Sequence, residues 1–152
     1  MKKHSGFTLM ELMVGIAILA VLSAIAIPSA ISWLSNSRFT SGVREVKAAI
    51  EDARMDAVKE NTRAGVQFDN ENNTYAVGTF DIGTGDIDWG NAAPLPARLD
   101  IEAAFGGAEA LELIFNNRGM PADGMGSIEF TSPTDDKLWI RVNITGRARV
   151  TD

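Results

Sequence analysis

From Leu12 to Leu34 the chain carries no charged side chain (LMVGIAILAVLSAIAIPSAISWL). An apolar run of this length is long enough to span a bilayer hydrocarbon core of roughly 30 Å. The six residues at the start of the chain, MKKHSG, are short and basic. An ordinary secretory signal would need a shorter apolar core and a small-residue cleavage site after it. The sequence at that point, Ile27-Pro28-Ser29-Ala30, fits such a site poorly, and the apolar run continues past it. A plain signal anchor would keep Lys2 and Lys3 in the cytoplasm and export the C-terminal part. Glu11 fits neither reading. It stands at the head of the apolar run, four residues after Phe7. A carboxylate in the membrane costs at least ~2.5–3.5 kcal/mol on insertion scales, so it is read as functional by default.

Composition removes several classes of chemistry. The chain has 152 residues, no cysteine and one histidine, His4. Without cysteine there is no disulfide, no thiol nucleophile and no thiolate metal site. If the leader is removed, His4 goes with it, and with it the commonest general base and metal ligand. No enzyme activity, cofactor or metal is expected. The net charge of -6 argues against general affinity for nucleic acid. Positive charge is nonetheless concentrated near the C-terminus, where Lys137, Arg141, Arg147 and Arg149 follow one another with no acidic residue between them.

The segment Gly6-Phe7-Thr8-Leu9-Met10-Glu11-Leu12 resembles the class III signal of type IV pilins and type II secretion pseudopilins. The resemblance implies cleavage between Gly6 and Phe7 by a prepilin peptidase and N-methylation of Phe7. It also places Pro28 where members of that family commonly carry a helix-kinking proline. The physical chemistry agrees. Cleavage frees an α-amino group with an ordinary pKa of ~7.7–8.0. Glu11 lies about one helical turn away from it, or faces the terminus of a neighbouring subunit. A carboxylate paired with an ammonium is far less costly in low dielectric than one alone. In a bundle of such helices the pair would favour one axial stagger, as buried polar residues do in coiled coils.

Beyond the apolar run, Phe39, Val43, Val46, Ile50, Ala53 and Ala57 recur at helical spacing, with Arg44, Glu45, Lys47, Glu51, Asp52, Arg54 and Asp56 between them. This predicts an amphipathic helix over 35–61 whose apolar stripe packs on a globular head. After Asn61 the period becomes two. Strands are expected at Ala64–Asp69, Thr74–Phe80, Arg98–Glu102, Leu111–Phe115, Ser127–Thr131, Leu138–Thr145 and Arg147–Val150, with Ile82–Pro94 as a variable loop. The organisation is then a leader (1–6), a transmembrane helix (7–34), an amphipathic helix (35–61) and a β-rich head (62–152). The fold class is α+β, one long N-terminal helix packed on an antiparallel sheet.

Ala53-Arg54-Met55-Asp56-Ala57-Val58 before a strand, Phe115 to Gly119, and the ending Thr145-Gly146-Arg147-Ala148-Arg149-Val150 resemble the GspH/FimT branch of minor pilins. That implies a minor pseudopilin near the tip of a type II secretion filament. Its partners would be other pilin-like subunits, and it would sit in the inner membrane with the head on the extracytoplasmic side. The alternative is a DNA-binding minor pilin of a type IV pilus, because Gly146–Arg149 matches a Gly-Arg-x-Arg ending that resembles a DNA-contacting motif. On a strand, Arg147 and Arg149 would share one face, and Arg141 would point away from the core that holds Ile140 and Val142. Asp81, Asp86 and Asp88 lie in a Gly-rich stretch that lacks the spacing of a calcium-binding EF-hand loop.

Overall fold

A computed structural model describes residues 7–95, 100–105, 108–109, 111–132 and 135–152. Among these residues a single helix, α1 (Leu9–Lys59), precedes ten strands: β1 (Ala64–Asp69), β2 (Thr74–Asp81), β3 (Asp86–Trp89), β4 (Ala93–Pro94), β5 (Asp100–Phe105), β6 (Ala108–Glu109), β7 (Glu112–Phe115), β8 (Gly126–Thr131), β9 (Lys137–Val142) and β10 (Ala148–Thr151). The chain divides into two compact units at Ser37 and Arg38.

Among its described residues, the first unit is helical from Leu9 onward and buries no side chain. Its large apolar side chains, from Phe7 and Leu9 through Trp33 and Leu34, are exposed. By length and composition this part of α1 is able to cross a bilayer. Pro28 lies inside the helix. Its missing N–H leaves a gap in the backbone ladder, and Ser32 Oγ donates to the Pro28 carbonyl at 3.1 Å.

The second unit holds the core. Phe39, Val43, Val46, Ile50, Ala53 and Ala57, the whole expected stripe, are buried. They join one apolar cluster with Val66, Phe68, Leu113 and Phe115 from one sheet and Ile101, Ile128, Phe130, Ile140 and Val142 from the other. The first sheet runs β3-β2-β1-β7 with β4 also on β2, and the second runs β10-β9-β8-β5-β6. All the strand pairings are antiparallel. Helix α1 stops where Asn61 turns left-handed (φ 52°). Thr62 N donates to the Ala57 carbonyl at 3.0 Å and Asn61 N to the Val58 carbonyl at 3.3 Å. This is a Schellman-type cap, with asparagine in the position glycine usually takes.

Two expectations need correction. Ile82–Pro94 is not a featureless loop: β3 pairs with β2, setting Asp81 opposite Asp86 and Gly78 opposite Trp89. Ile87 and Trp89 alternate with exposed Asp86 and Asp88, a period-two pattern disguised by acidic residues of low strand propensity. A Cβ on Gly78 would lie 2.7 Å from the Trp89 ring, so only glycine lets that ring lie across the strand. The second correction is that the strand expected to reach Thr145 stops at Val142. Asn143 begins a turn there, described below. The expected start of β5 at Arg98 lies outside the described residues. On the second sheet, Glu129 accepts hydrogen bonds from Lys137 Nζ and from Trp139 Nε1, the latter at 3.1 Å. Lys137, then Trp139, hold the Glu129 carboxyl below its usual range.

Candidate functional site

Two places carry the residues singled out by sequence. The first is the start of α1. Gly6 lies outside the described residues, and Phe7 is exposed ahead of the helix. Thr8 and Glu11 are bonded reciprocally: Glu11 N donates to Thr8 Oγ1 at 3.2 Å, and Thr8 N donates to Glu11 Oε2 at 3.4 Å. This is a capping box, in which threonine before the helix and glutamate at its third position satisfy each other's free N–H groups. The Thr-x-x-Glu pattern ahead of an apolar run is its signature, and sequence reasoning missed it. Glu11 thus has a local task as well as any intermolecular one, and its carboxylate is held on the terminal turn.

The second place is a cleft of about 1240 Å³ in the head. Its walls include Arg44, Lys47 and Glu51 of α1, Arg141 of β9, Arg149 of β10 and Arg147 just before that strand. Periodicity alone placed Arg147 and Arg149 on one face, and both are exposed beside buried Ala148. Sequence reasoning did not bring Arg44 and Lys47 to them, because roughly a hundred residues separate the two groups. Arg149 lies directly opposite Arg141 across the β9–β10 pair. Like charges in that relation are destabilising, so the arrangement is one an anion would relieve. The ion pairs among the described residues are Lys47–Glu51, at 2.6 Å in this cleft, and Glu129–Lys137. Among those residues, Arg44, Arg141, Arg147 and Arg149 therefore face the cleft without a carboxylate partner.

A tight turn sets where these arginines emerge. Asn143 Oδ1 accepts from Thr145 N at 3.0 Å, Thr145 Oγ1 at 2.7 Å and Arg147 N at 2.9 Å. Gly146 N donates to the Asn143 carbonyl at 2.8 Å and Asn143 N to the Arg147 carbonyl at 3.2 Å. Gly146 is left-handed at φ 77°. This is a three-residue hairpin loop closed by a glycine bulge. Arg54 Nε donates to the Gly119 carbonyl at 2.9 Å, and that carbonyl presses against Gly146, where a Cβ would lie 1.9 Å from it.

Two protein-family models match the chain. One described as the prokaryotic N-terminal methylation motif matches residues 1–27. Another, described as type II transport protein GspH, matches residues 42–146, most of the chain. The chain belongs to the GspH family of type IV pilin-like proteins. Among solved structures this pilin-like chain is similar to the type IV minor pilin FimU of Pseudomonas aeruginosa, at TM-score 0.61 and 17% identity over 79% of this chain and 92% of that one. It is equally similar to the minor pseudopilin EpsH from the type 2 secretion system of Vibrio cholerae, at TM-score 0.60 and 12% identity over 75% and 96%. At such identities the likeness is one of fold, and it places the long helix and antiparallel sheets in the pilin-like α+β class. Among curated relatives, the type IV major fimbrial protein FimA of Dichelobacter nodosus is 33% identical over 114 residues, 68% of this chain and 72% of that one. A fimbrial protein of Pseudomonas aeruginosa is 39% identical over 75 residues, and there the match spans about half of the relative's length, 49%. The chain is thus a type IV pilin-like protein by family.

Proposed function

We propose that this chain is a minor pseudopilin of a type II secretion filament. In this reading a prepilin peptidase removes Met1–Gly6 and methylates Phe7. Residues 7–34 then hold the subunit in the inner membrane with its head on the extracytoplasmic side. Glu11 and Pro28 shape its packing with other pilin-like subunits, and no catalytic role is assigned. The observation that carries the choice is that the match to the type II transport family lies over the β-rich head, whereas the methylation motif is common ground for secretion and pilus subunits. Deleting the gene in its own host is expected to leave exported proteins inside the cell. Re-expressed protein should begin at N-methylated Phe7 by intact-mass measurement. Normal secretion in the deletion strain, or a mature chain that still contains Lys2 and Lys3, would overturn the assignment.

The cleft favours a second reading, a minor pilin of a type IV pilus that contacts DNA. Cationic side chains free of carboxylate partners among the described residues, on one surface of an acidic chain, form an electrostatic footprint for phosphate. In that case Arg147→Ala with Arg149→Ala leaves the head folded and weakens DNA binding. The dependence of log affinity on log salt falls by about 2, one for each phosphate that is no longer neutralised. Gel retardation across a salt series reads this out. Equal affinity and equal slope for native and variant protein would exclude these arginines as the DNA site.

A further inference from the structure

We propose that the outer edge of β10 accepts an extended, acidic segment of a neighbouring filament subunit as an added strand; this rests on the filament reading above. The register of the C-terminal hairpin carries the argument. Asn143 N donates to the Arg147 carbonyl, so Arg147 and Asn143 form a hydrogen-bonded pair. In an antiparallel ladder such pairs recur at every second residue. With Arg149 opposite Arg141 and Thr151 opposite Trp139, the backbone groups of Arg147, Arg149 and Thr151 turn toward β9. Those of Ala148 and Val150 turn the other way. β10 is the last strand of its sheet, and among the described residues no hydrogen bond reaches the N–H or C=O of Ala148 or Val150.

Ala148 and Val150 both line the basic cleft, together with Arg44, Lys47, Arg141 and Arg149. An unpaired edge is a template for another strand, and here it is set among cations. Those cations select an acidic partner and repel a basic one. The edge also selects the polymer. It offers N–H donors and C=O acceptors in alternation, and a peptide strand satisfies both kinds. A phosphodiester backbone brings acceptors alone and would leave the Ala148 and Val150 carbonyls unpaired. Four residues of β10 give a ladder of about 13 Å, suited to a short extended segment.

Full-length protein in detergent is titrated into a fluorescein-labelled heptapeptide alternating valine and glutamate, acetylated and amidated at its ends, with anisotropy as the readout. The native chain is expected to bind it. The same peptide N-methylated at every residue, which keeps the charge and loses the donors, is expected to bind about tenfold more weakly or worse. Val150→Pro removes an N–H that β9 does not use, a position where an edge strand tolerates proline. It should lose the peptide to the same degree, whereas Val150→Ala, which keeps the N–H, retains it. No binding by the native chain, equal binding of the N-methylated peptide, or full binding by a folded Val150→Pro variant would overturn strand addition. So would a single-stranded oligonucleotide of equal charge that binds more tightly than the peptide and is indifferent to Val150→Pro. None of these readouts depends on assembly, so their failure leaves the filament reading to stand or fall on its own experiments.

Discussion

Glu11→Leu is expected to insert into the membrane as well as the native chain and to recover about tenfold less of the other pilin-like subunits on co-purification, equivalent to about 1.4 kcal/mol. Replacing a carboxylate by an apolar side chain makes insertion easier, by ~2.5–3.5 kcal/mol on insertion scales at the centre of a membrane helix. In the filament reading, the cost of the acid is offset by something a bundle of such helices would gain. No lysine or arginine lies between Phe7 and Leu34. In the proposed reading the nearest cation is the amine that cleavage between Gly6 and Phe7 would release. The capping box adds a competing explanation, because leucine also removes the acceptor for Thr8 N. Glu11→Gln separates the two. Glutamine serves at the third position of a capping box but carries no charge. If Glu11→Gln assembles as poorly as Glu11→Leu, the charge sets register between neighbouring helices. Native assembly by Glu11→Gln would reduce Glu11 to a helix cap and sink the register role. Poor insertion of both variants would show that the energetic argument runs the wrong way.

The second large effect is expected at Gly146. Alanine there has to adopt φ near 77° and also place a Cβ 1.9 Å from the Gly119 carbonyl and 2.8 Å from Arg54 Nε. A non-glycine residue in the left-handed region costs about 1–3 kcal/mol by itself. The overlap is with backbone that Arg54 holds in place, so relief requires moving a turn. A total on the order of 3–4 kcal/mol is expected, among the larger single-residue losses. For a head of this size that lowers Tm by roughly 12–25 °C. Gly85 supplies the control. Its φ is 79° and no atom lies within 4 Å of the Cβ position. Gly85→Ala therefore reports the dihedral cost without the overlap. Thermal melts of the two variants followed by near-UV circular dichroism make the comparison. Equal losses would mean that the Gly119 carbonyl contributes nothing and that the C-terminal turn is not locked.

The helix stripe and the alternation of Leu138 to Val142 were legible because both depend on a period that burial enforces along one element. The leader motif was legible because it is contiguous. Three features were not. The Thr8–Glu11 box was hidden behind the more conspicuous cost of a membrane carboxylate. The β2–β3 hairpin was hidden because Asp86 and Asp88 occupy its solvent face, and strand propensity is low for aspartate although the geometry tolerates it there. The premature end of β9 follows from Asn143, whose side chain competes with the ladder for three hydrogen bonds. The cleft was beyond sequence reasoning altogether. Arg44 and Lys47 look like members of an ordinary solvated helix face until the fold brings β10 beside them.

The buried stripe of α1 also has a mechanical meaning. From Phe39 to Ala57 it runs for five helical turns, about 27 Å. In a subunit anchored through its N-terminal helix, tension enters the head along this same helix. Pulling along the axis loads Phe39, Val43, Val46, Ile50, Ala53 and Ala57 together, in shear, whereas peeling from one end would break them one at a time. Resistance to force is governed by the rate of unfolding rather than by equilibrium stability. A head built around such a stripe is therefore suited to staying folded under a pull along the helix axis.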